Sequence, residues 1–224
     1  HRPQGRGFSR MVQSVNPAAL RVTASRVLFR PQLALPTVLT RTIADVDWEA
    51  FRKGQCAKHP VKFVVFDKDN TLTAPYVDEL HSRTQESVGR CVQTFGAQQI
   101  AILSNSAGTP DDVDLEAKRR VETATGLSVI VHAEKKPLGF ETVLDHLRQN
   151  KTISDEVTPE HVLVVGDRLL TDTVMGNLNG AQTLHCAETL DLHRDNRAAR
   201  VFRVLENAVL STVLMFRPDA CRKL

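Results

Sequence analysis

Asp67 and Asp69 stand directly after the apolar run Val61–Phe66, and Ser104 and Asn105 directly after Gln99–Leu103. Lys136 lies slightly beyond the run Leu127–Val131, and Asp167 and Asp172 follow His161–Val165. Carboxylate oxygens are the hard ligands that suit Mg²⁺, whereas a hydroxyl and an ammonium suit the oxygens of a phosphoryl group. If these positions converge, their types make a magnesium and phosphate site. Lys135 is an adjacent competitor for the place of the amine.

Convergence depends on the elements that carry them. Val61–Phe66 is β-branched and aromatic and reads as a buried strand, as do the three later runs and Gln182–Cys186. Helices are expected between them: over Asp78–Phe95, ending before Gly96; after Thr109-Pro110-Asp111-Asp112, which reads as a cap, a first-turn proline and dipole-favoured acids; over Leu138–Gln149; over Thr171–Leu178, stopped by Asn179-Gly180; and from about Asp195 to Phe216. Continuous apolar strands alternating with helices imply an α/β fold with a doubly wound parallel sheet covered on both faces. In such a sheet ligands bind outside the carboxyl ends of the strands. Polar residues placed after each strand then share one crevice.

The net charge of +3 is unevenly distributed. Residues 1–44 carry seven arginines, no lysine and no acid, which leaves −4 for residues 45–224. The chain is accordingly read as an Arg-rich arm, 1–44, and a catalytic domain, 45–224. The arm suits an organelle-targeting sequence or a segment drawn to anionic headgroups, the alternative being an ordinary first helix or a foreign leader. With the excess of positive charge confined there, no nucleic-acid partner is expected for the main domain. The four cysteines form no CxxC pair, in keeping with a reducing compartment. No apolar stretch is long enough to span a bilayer, so membrane contact is expected to be peripheral.

Asp67-Lys68-Asp69-Asn70-Thr71 after a strand, Ser104 after the next, Lys136-Pro137, and Gly166-Asp167 with Asp172 together resemble the haloacid-dehalogenase-like (HAD) hydrolase superfamily. The resemblance covers roughly residues 61–190 and implies a Rossmann-like HAD fold. It also implies roles. Asp67 attacks phosphorus and becomes an aspartyl-phosphate, while Asp69 protonates the leaving alkoxide and later activates water. Mg²⁺ is held by the carboxylates of Asp67 and Asp167 and the main-chain carbonyl of Asp69. Ser104, Asn105 and Lys136 bind phosphoryl oxygens, Asp172 orients a metal-bound water or Lys136, and Thr71 ties down the loop after the nucleophile. Dehalogenase members lack the second acid, so Asp69 points to phosphate esters.

The intervals Asp69–Ser104 and Ser104–Lys136 are each used up by about one helix and one strand, which leaves no room for a large cap domain. An open site suits a phosphate carried on something large. Phe66–Pro75 and Gly166–Asp172, with Leu33–Pro36 and Asp47-Trp48 upstream, are similar to the mitochondrial phosphatidylglycerophosphate phosphatase family over about residues 16–216. The implied substrate is the phospholipid phosphatidylglycerophosphate, hydrolysed to phosphatidylglycerol on the way to cardiolipin. The implied place is the matrix face of the mitochondrial inner membrane. Lys68 or Arg168 would hold the second, non-scissile phosphate. Cationic and apolar residues interleaved over Arg26–Arg41, and the apolar end Val209–Phe216, suit a headgroup region or simple packing on the sheet. The rival readings are a phosphatase for phosphoproteins or nucleic-acid ends, and a phospho-accepting receiver module that does not hydrolyse. The acid two residues after the nucleophile weighs against the receiver.

Overall fold

The computed structural model describes residues 25, 27, 29–150, 156–191, 197–216 and 222–223. Seven strands form one sheet in which every pairing is parallel. They are β1 (Val38–Thr40), β2 (Phe63–Phe66), β3 (Ile100–Ile102), β4 (Ser128–Val129), β5 (Val162–Gly166), β6 (Gln182–Cys186) and β7 (Arg222–Lys223), in the order β4-β3-β2-β5-β6-β1-β7. The helices are α1 (Trp48–Arg52), α2 (Gln85–Phe95), α3 (Glu116–Thr125), α4 (Phe140–Asn150), α5 (Val174–Leu178) and α6 (Arg197–Phe216).

Because side chains alternate across a strand, β2 serves two cores. Val64 and Phe66 face a cluster that includes Trp48, Phe51, Val88 and Val121 from α1, α2 and α3. Phe63 and Val65 face Phe140, Val143, Leu144 and Leu147 of α4. All four residues of β2 are buried, which is why the strand reads as an unbroken apolar run. On the first face the Trp48 ring meets Phe66 edge-on at 5.6 Å, and its indole N–H donates to Ser87 Oγ at 3.0 Å. The anticipated doubly wound sheet is thus the observed one, and its five expected strands are β2 to β6.

Three local expectations shift. The helix placed over Asp78–Phe95 begins only at Gln85, because the residues before it fold back over the loop after β2. There Thr84 Oγ1 donates to Leu72 O at 2.7 Å, and His81 N donates to the same carbonyl at 2.9 Å. The cap expected at Thr109 is supplied by Asp112, whose carboxylate accepts from Ala117 N at 2.8 Å and Lys118 N at 2.9 Å as α3 begins. The boundary expected between residues 44 and 45 is crossed by the sheet itself. Within the presumed arm, Val38–Thr40 is a strand paired with Leu184–Cys186. Thr37 and Thr183 exchange backbone-to-hydroxyl bonds of 3.0 and 3.1 Å, and Asn177 Nδ2 donates to Leu33 O and Leu35 O at 2.8 Å each. Most of the arginine-bearing residues before this strand lie outside the described residues, whereas the apolar end Val209–Phe216 forms the last turns of α6, where Leu210 is buried and Val209 and Leu214 pack beside Val27, Ala34, Leu169 and Val174.

Candidate active site

β2 sits between β3 and β5, the two strands that follow it in opposite directions across the sheet, so its carboxyl end opens at the topological switch point. Ladder hydrogen bonds reach to the tips: Asp67 N donates to Val165 O at 2.7 Å and Leu103 N to Phe66 O at 2.8 Å. Asp67 and Asp167 are therefore mounted on rigid backbone side by side. Lys136 Nζ donates to Asp67 Oδ1 and, at 2.6 Å, to Asp172 Oδ1. Lys135 instead reaches Asp111 at 2.6 Å, so the amine in the crevice is Lys136.

Gly166 explains how Asp172 reaches this point. A Cβ at residue 166 would lie 2.3 Å from Asp172 Oδ2. The missing side chain leaves the space in which the carboxylate turns back, over a π-helical turn at Leu169–Thr173, to meet Lys136 and the Arg168 N–H at 3.2 Å.

Carboxylate oxygens of Asp67, Asp167 and Asp172 lie within 4.8 Å of one another. Burial pushes Asp67 up to about 8, with Lys136 opposing and the neighbouring Asp172, Asp167 and Asp69 adding to the rise. Asp167 is pushed up to about 6, again by burial, against Arg203. Burial would lower the Lys136 ammonium, but Asp172 and Asp67 overcome it and hold the pKa above its ordinary value. Three carboxylates against the Lys136 ammonium and the Arg203 guanidinium leave the cluster short of positive charge. Asp167 Oδ1 is buried without a hydrogen-bond donor among the described residues. A hard divalent cation such as Mg²⁺ fits that donor set and that deficit.

The loop after β2 is held tightly, by different atoms from those expected. Thr71 Oγ1 is buried and has no hydrogen-bond partner among the described residues, so the tie expected from its hydroxyl is not made by them. Main-chain bonds do: Leu72 N and Thr73 N both donate to Lys68 O, and Asn70, at φ 63°, donates to Thr73 O. Lys68 is buried, with its ammonium on Asp69 Oδ1 at 2.7 Å and on Val77 O at 2.8 Å. Its charge is engaged by this loop. Asp69 also accepts from Tyr76 N at 3.3 Å and lies outside the three-acid cluster.

Ser104 is fully buried, and its Oγ accepts from Ser106 N at 3.1 Å while lying 3.1 Å from Ser106 Oγ. Asn105 Oδ1 accepts from Lys136 N at 3.3 Å, which couples the β3 loop to the lysine. A residue that sequence reading passed over reinforces that coupling. His132, buried, contacts Ser104 O through Nε2 at 2.8 Å and Glu134 O through Nδ1 at 2.6 Å.

Arg168 turns away from Asp67, its Nε donating to Glu206 Oε2 at 3.0 Å. Glu206, from α6, also accepts from Leu170 N at 3.0 Å. Arg203, one turn earlier on α6, ion-pairs with Asp167 Oδ2 and donates to Asp167 O at 3.3 Å. Neither α6 residue was anticipated. Their only signal in the sequence is an i, i+3 pair of opposite charges on a helix, which is ordinarily a solvated couple.

A family model described as mitochondrial PGP phosphatase matches residues 18–191. The chain is 37% identical over 201 residues to phosphatidylglycerophosphate phosphatase 1, chloroplastic/mitochondrial, of Arabidopsis thaliana, which covers 88% of this chain and 53% of that protein. It is 34% identical to the chloroplastic phosphatidylglycerophosphate phosphatase 1 of Chlamydomonas reinhardtii, over 83% of this chain and 64% of the relative. With the mitochondrial phosphatidylglycerophosphatase of Saccharomyces cerevisiae it shares 33% identity over 70% of this chain and 79% of the relative. The chain thus spans between half and two-thirds of the length of the plant and algal relatives. A parallel sheet with its acids at the switch point and a family match across most of the described domain lead to one assignment: the chain belongs to the mitochondrial PGP phosphatase family, within the HAD-like hydrolases.

Proposed function

We propose that this protein is a Mg²⁺-dependent phosphomonoesterase that hydrolyses phosphatidylglycerophosphate to phosphatidylglycerol and inorganic phosphate through an aspartyl-phosphate on Asp67. The observation that carries the reading is the bridge from Lys136 to both Asp67 and Asp172, at the tip of the strand beside Asp167. One Asp67 oxygen is oriented by Lys136, which leaves the carboxylate to attack the terminal phosphorus. The P–O bond to the glycerol oxygen breaks, and Asp69 supplies the proton that the departing alkoxide needs. Asp69, then anionic, takes a proton from a water molecule as that water attacks phosphorus. Inorganic phosphate leaves and the Asp67 carboxylate is restored. The contact of the Lys68 ammonium with Asp69 Oδ1, at 2.7 Å, keeps the acid–base carboxyl in one orientation.

Mg²⁺, held by the carboxylates of Asp67 and Asp167 and the carbonyl of Asp69, would screen the phosphate from the surrounding acids. Lys136 and the Ser104 hydroxyl are the donors for the phosphoryl oxygens, where transition-state charge collects. Asp172 acts on Lys136, fixing the ammonium by its 2.6 Å bond.

The lipid assignment rests on the relatives' names and on the crevice itself. Among the described residues no separate domain covers it, which suits a headgroup presented at a membrane surface. No described helix is long and apolar enough to cross a membrane. Peripheral contact with the matrix side of the mitochondrial inner membrane is the arrangement we propose.

The test is Mg²⁺-dependent phosphate release from phosphatidylglycerophosphate in mixed micelles, beside an aryl phosphate, with Asp67→Asn as control. Efficient lipid turnover abolished in the variant supports both mechanism and substrate. Turnover of the aryl phosphate alone removes the lipid assignment and turns attention to phosphoproteins and nucleic-acid ends.

A further inference from the structure

We propose that Arg203 has two successive partners: the Asp167 carboxylate while the acidic cluster holds no divalent cation, and the phosphodiester of the lipid headgroup once a cation has taken Asp167. The proposal rests on the phosphatase reading above and adds to it a residue that recognises the non-scissile phosphate.

Four charged groups meet beside the crevice. Arg203 and Glu206 come from one face of α6, Arg168 and Asp167 from the end of β5. The two α6 side chains are buried or nearly so, 12% and 2% exposed, which is unusual for charges on the outermost helix of a chain. Glu206 is engaged by Arg168 Nε and by the Leu170 N–H. Arg203 ion-pairs with Asp167. Among the described residues these two cations face two anions, and Asp167 is the anion that a metal ion would share.

A divalent cation on Asp167 breaks that balance. It brings two positive charges to the carboxylate that the guanidinium was neutralising, and at this burial the repulsion is only weakly screened. An anion at the crevice edge then offsets that repulsion. A second observation points the same way: Arg168 Nη2 is buried and has no hydrogen-bond partner among the described residues. A guanidinium whose Nε is fixed by Glu206, and whose outer nitrogen lacks an acceptor, is arranged for one more oxygen. Phosphatidylglycerophosphate carries its second phosphate one glycerol unit from the first. With the monoester at Asp67, the diester is the anion available to Arg203 and Arg168. Lys68, the other candidate for this task, is committed to the loop that carries Asp69.

The test uses Arg203→Gln and Arg203→Lys in the full chain, with two readouts. The first is direct titration with Mn²⁺, followed by its electron paramagnetic resonance signal, which needs no turnover. Removing the tethered cation is expected to tighten Mn²⁺ binding by about tenfold in Arg203→Gln and much less in Arg203→Lys. Unchanged or weaker binding in Arg203→Gln overturns the proposal. The second readout is kcat/KM for a short-chain, water-soluble form of the lipid relative to an aryl phosphate that has no diester. That ratio is expected to fall by about tenfold or more in Arg203→Gln, mostly through KM, and to recover partly in Arg203→Lys. An unchanged ratio, with both substrates affected alike, overturns it. If the native chain hydrolyses the aryl phosphate and leaves the lipid untouched, the substrate reading fails, and the Mn²⁺ titration still decides the competition at Asp167.

Discussion

Replacing Gly166 by alanine is the sharpest perturbation of the crevice, because it adds one methyl group and no charge. The new Cβ would stand 2.3 Å from Asp172 Oδ2, 2.5 Å from its Cγ and 2.6 Å from its Cβ. Contacts that close cannot persist, and the side chain in the way is not a loose one. Asp172 is buried and held by Lys136 at 2.6 Å and by the Arg168 N–H at 3.2 Å. If Asp172 stays, backbone must shift, at the roughly 1–3 kcal/mol typical of an overpacked core. If it swings away, a charge-assisted bond worth about 1.5–3 kcal/mol is lost and Lys136 is left with Asp67 alone. Both routes predict a loss of about 1–3 kcal/mol in urea unfolding. The second route also predicts a fall of at least about tenfold in aryl phosphate hydrolysis, because Lys136 loses one of the two carboxylates that aim it. Stability within about 0.5 kcal/mol of the native chain, together with native turnover, would refute the account of why glycine stands before Asp167.

Gly89 is the contrasting case, a helical glycine with no atom within 4 Å of an added Cβ, so Gly89→Ala should stabilise by about 0.5–1 kcal/mol in the same unfolding assay. Millimolar Mg²⁺ should raise the thermal midpoint and a chelator should reverse the effect, by about 2.7 kcal/mol at a hundredfold excess over Kd; Asp167→Asn should lose most of that shift. Burial holds His185 down to about 4 against an ordinary 6.5, so below pH 6.5 the unfolded chain gains a proton that the folded chain refuses. Its contribution to stability is therefore complete above pH 6.5 and is lost as pH falls toward 4, by up to about 3 kcal/mol, and urea titrations of His185→Leu should show a flatter profile across that window. Lys68→Met should lower kcat more than it raises KM, because the ammonium orients Asp69; a change confined to KM would return Lys68 to headgroup recognition.

The parts of this site that could be read from the sequence share a cause. Asp67, Asp167 and Asp172 each follow an apolar run closely, and in a parallel sheet the end of a run is the edge of the crevice. Lys136 was harder, since Lys135 is its chemical equal, and only the three-dimensional path of the loop sends one to Asp67 and the other to Asp111. Arg203 and His132 were illegible because their partners are main-chain or distant acidic atoms that no local pattern announces. Thr71 was given a tying role that backbone bonds from Lys68 O perform instead. Strand β1 was hidden by its length and company: three residues between Arg30 and Arg41, held in place by β6 from the far end of the chain.

That placement of β1 has a consequence for the order of folding. Its first partner, β6, lies 146 residues away along the chain at the Thr37–Thr183 contact. Its other neighbour, β7, is later still. Local contacts form early and distant ones late, because closing a long loop is entropically costly before any contact rewards it. Of the described strands, the earliest along the chain is therefore among the last to find its place. Until then β6 presents an open edge, a template for pairing with another chain. A nascent or translocating molecule would hold a nearly complete sheet with that seam unfilled, and a chaperone occupying it would have the residues around Val38 to compete with.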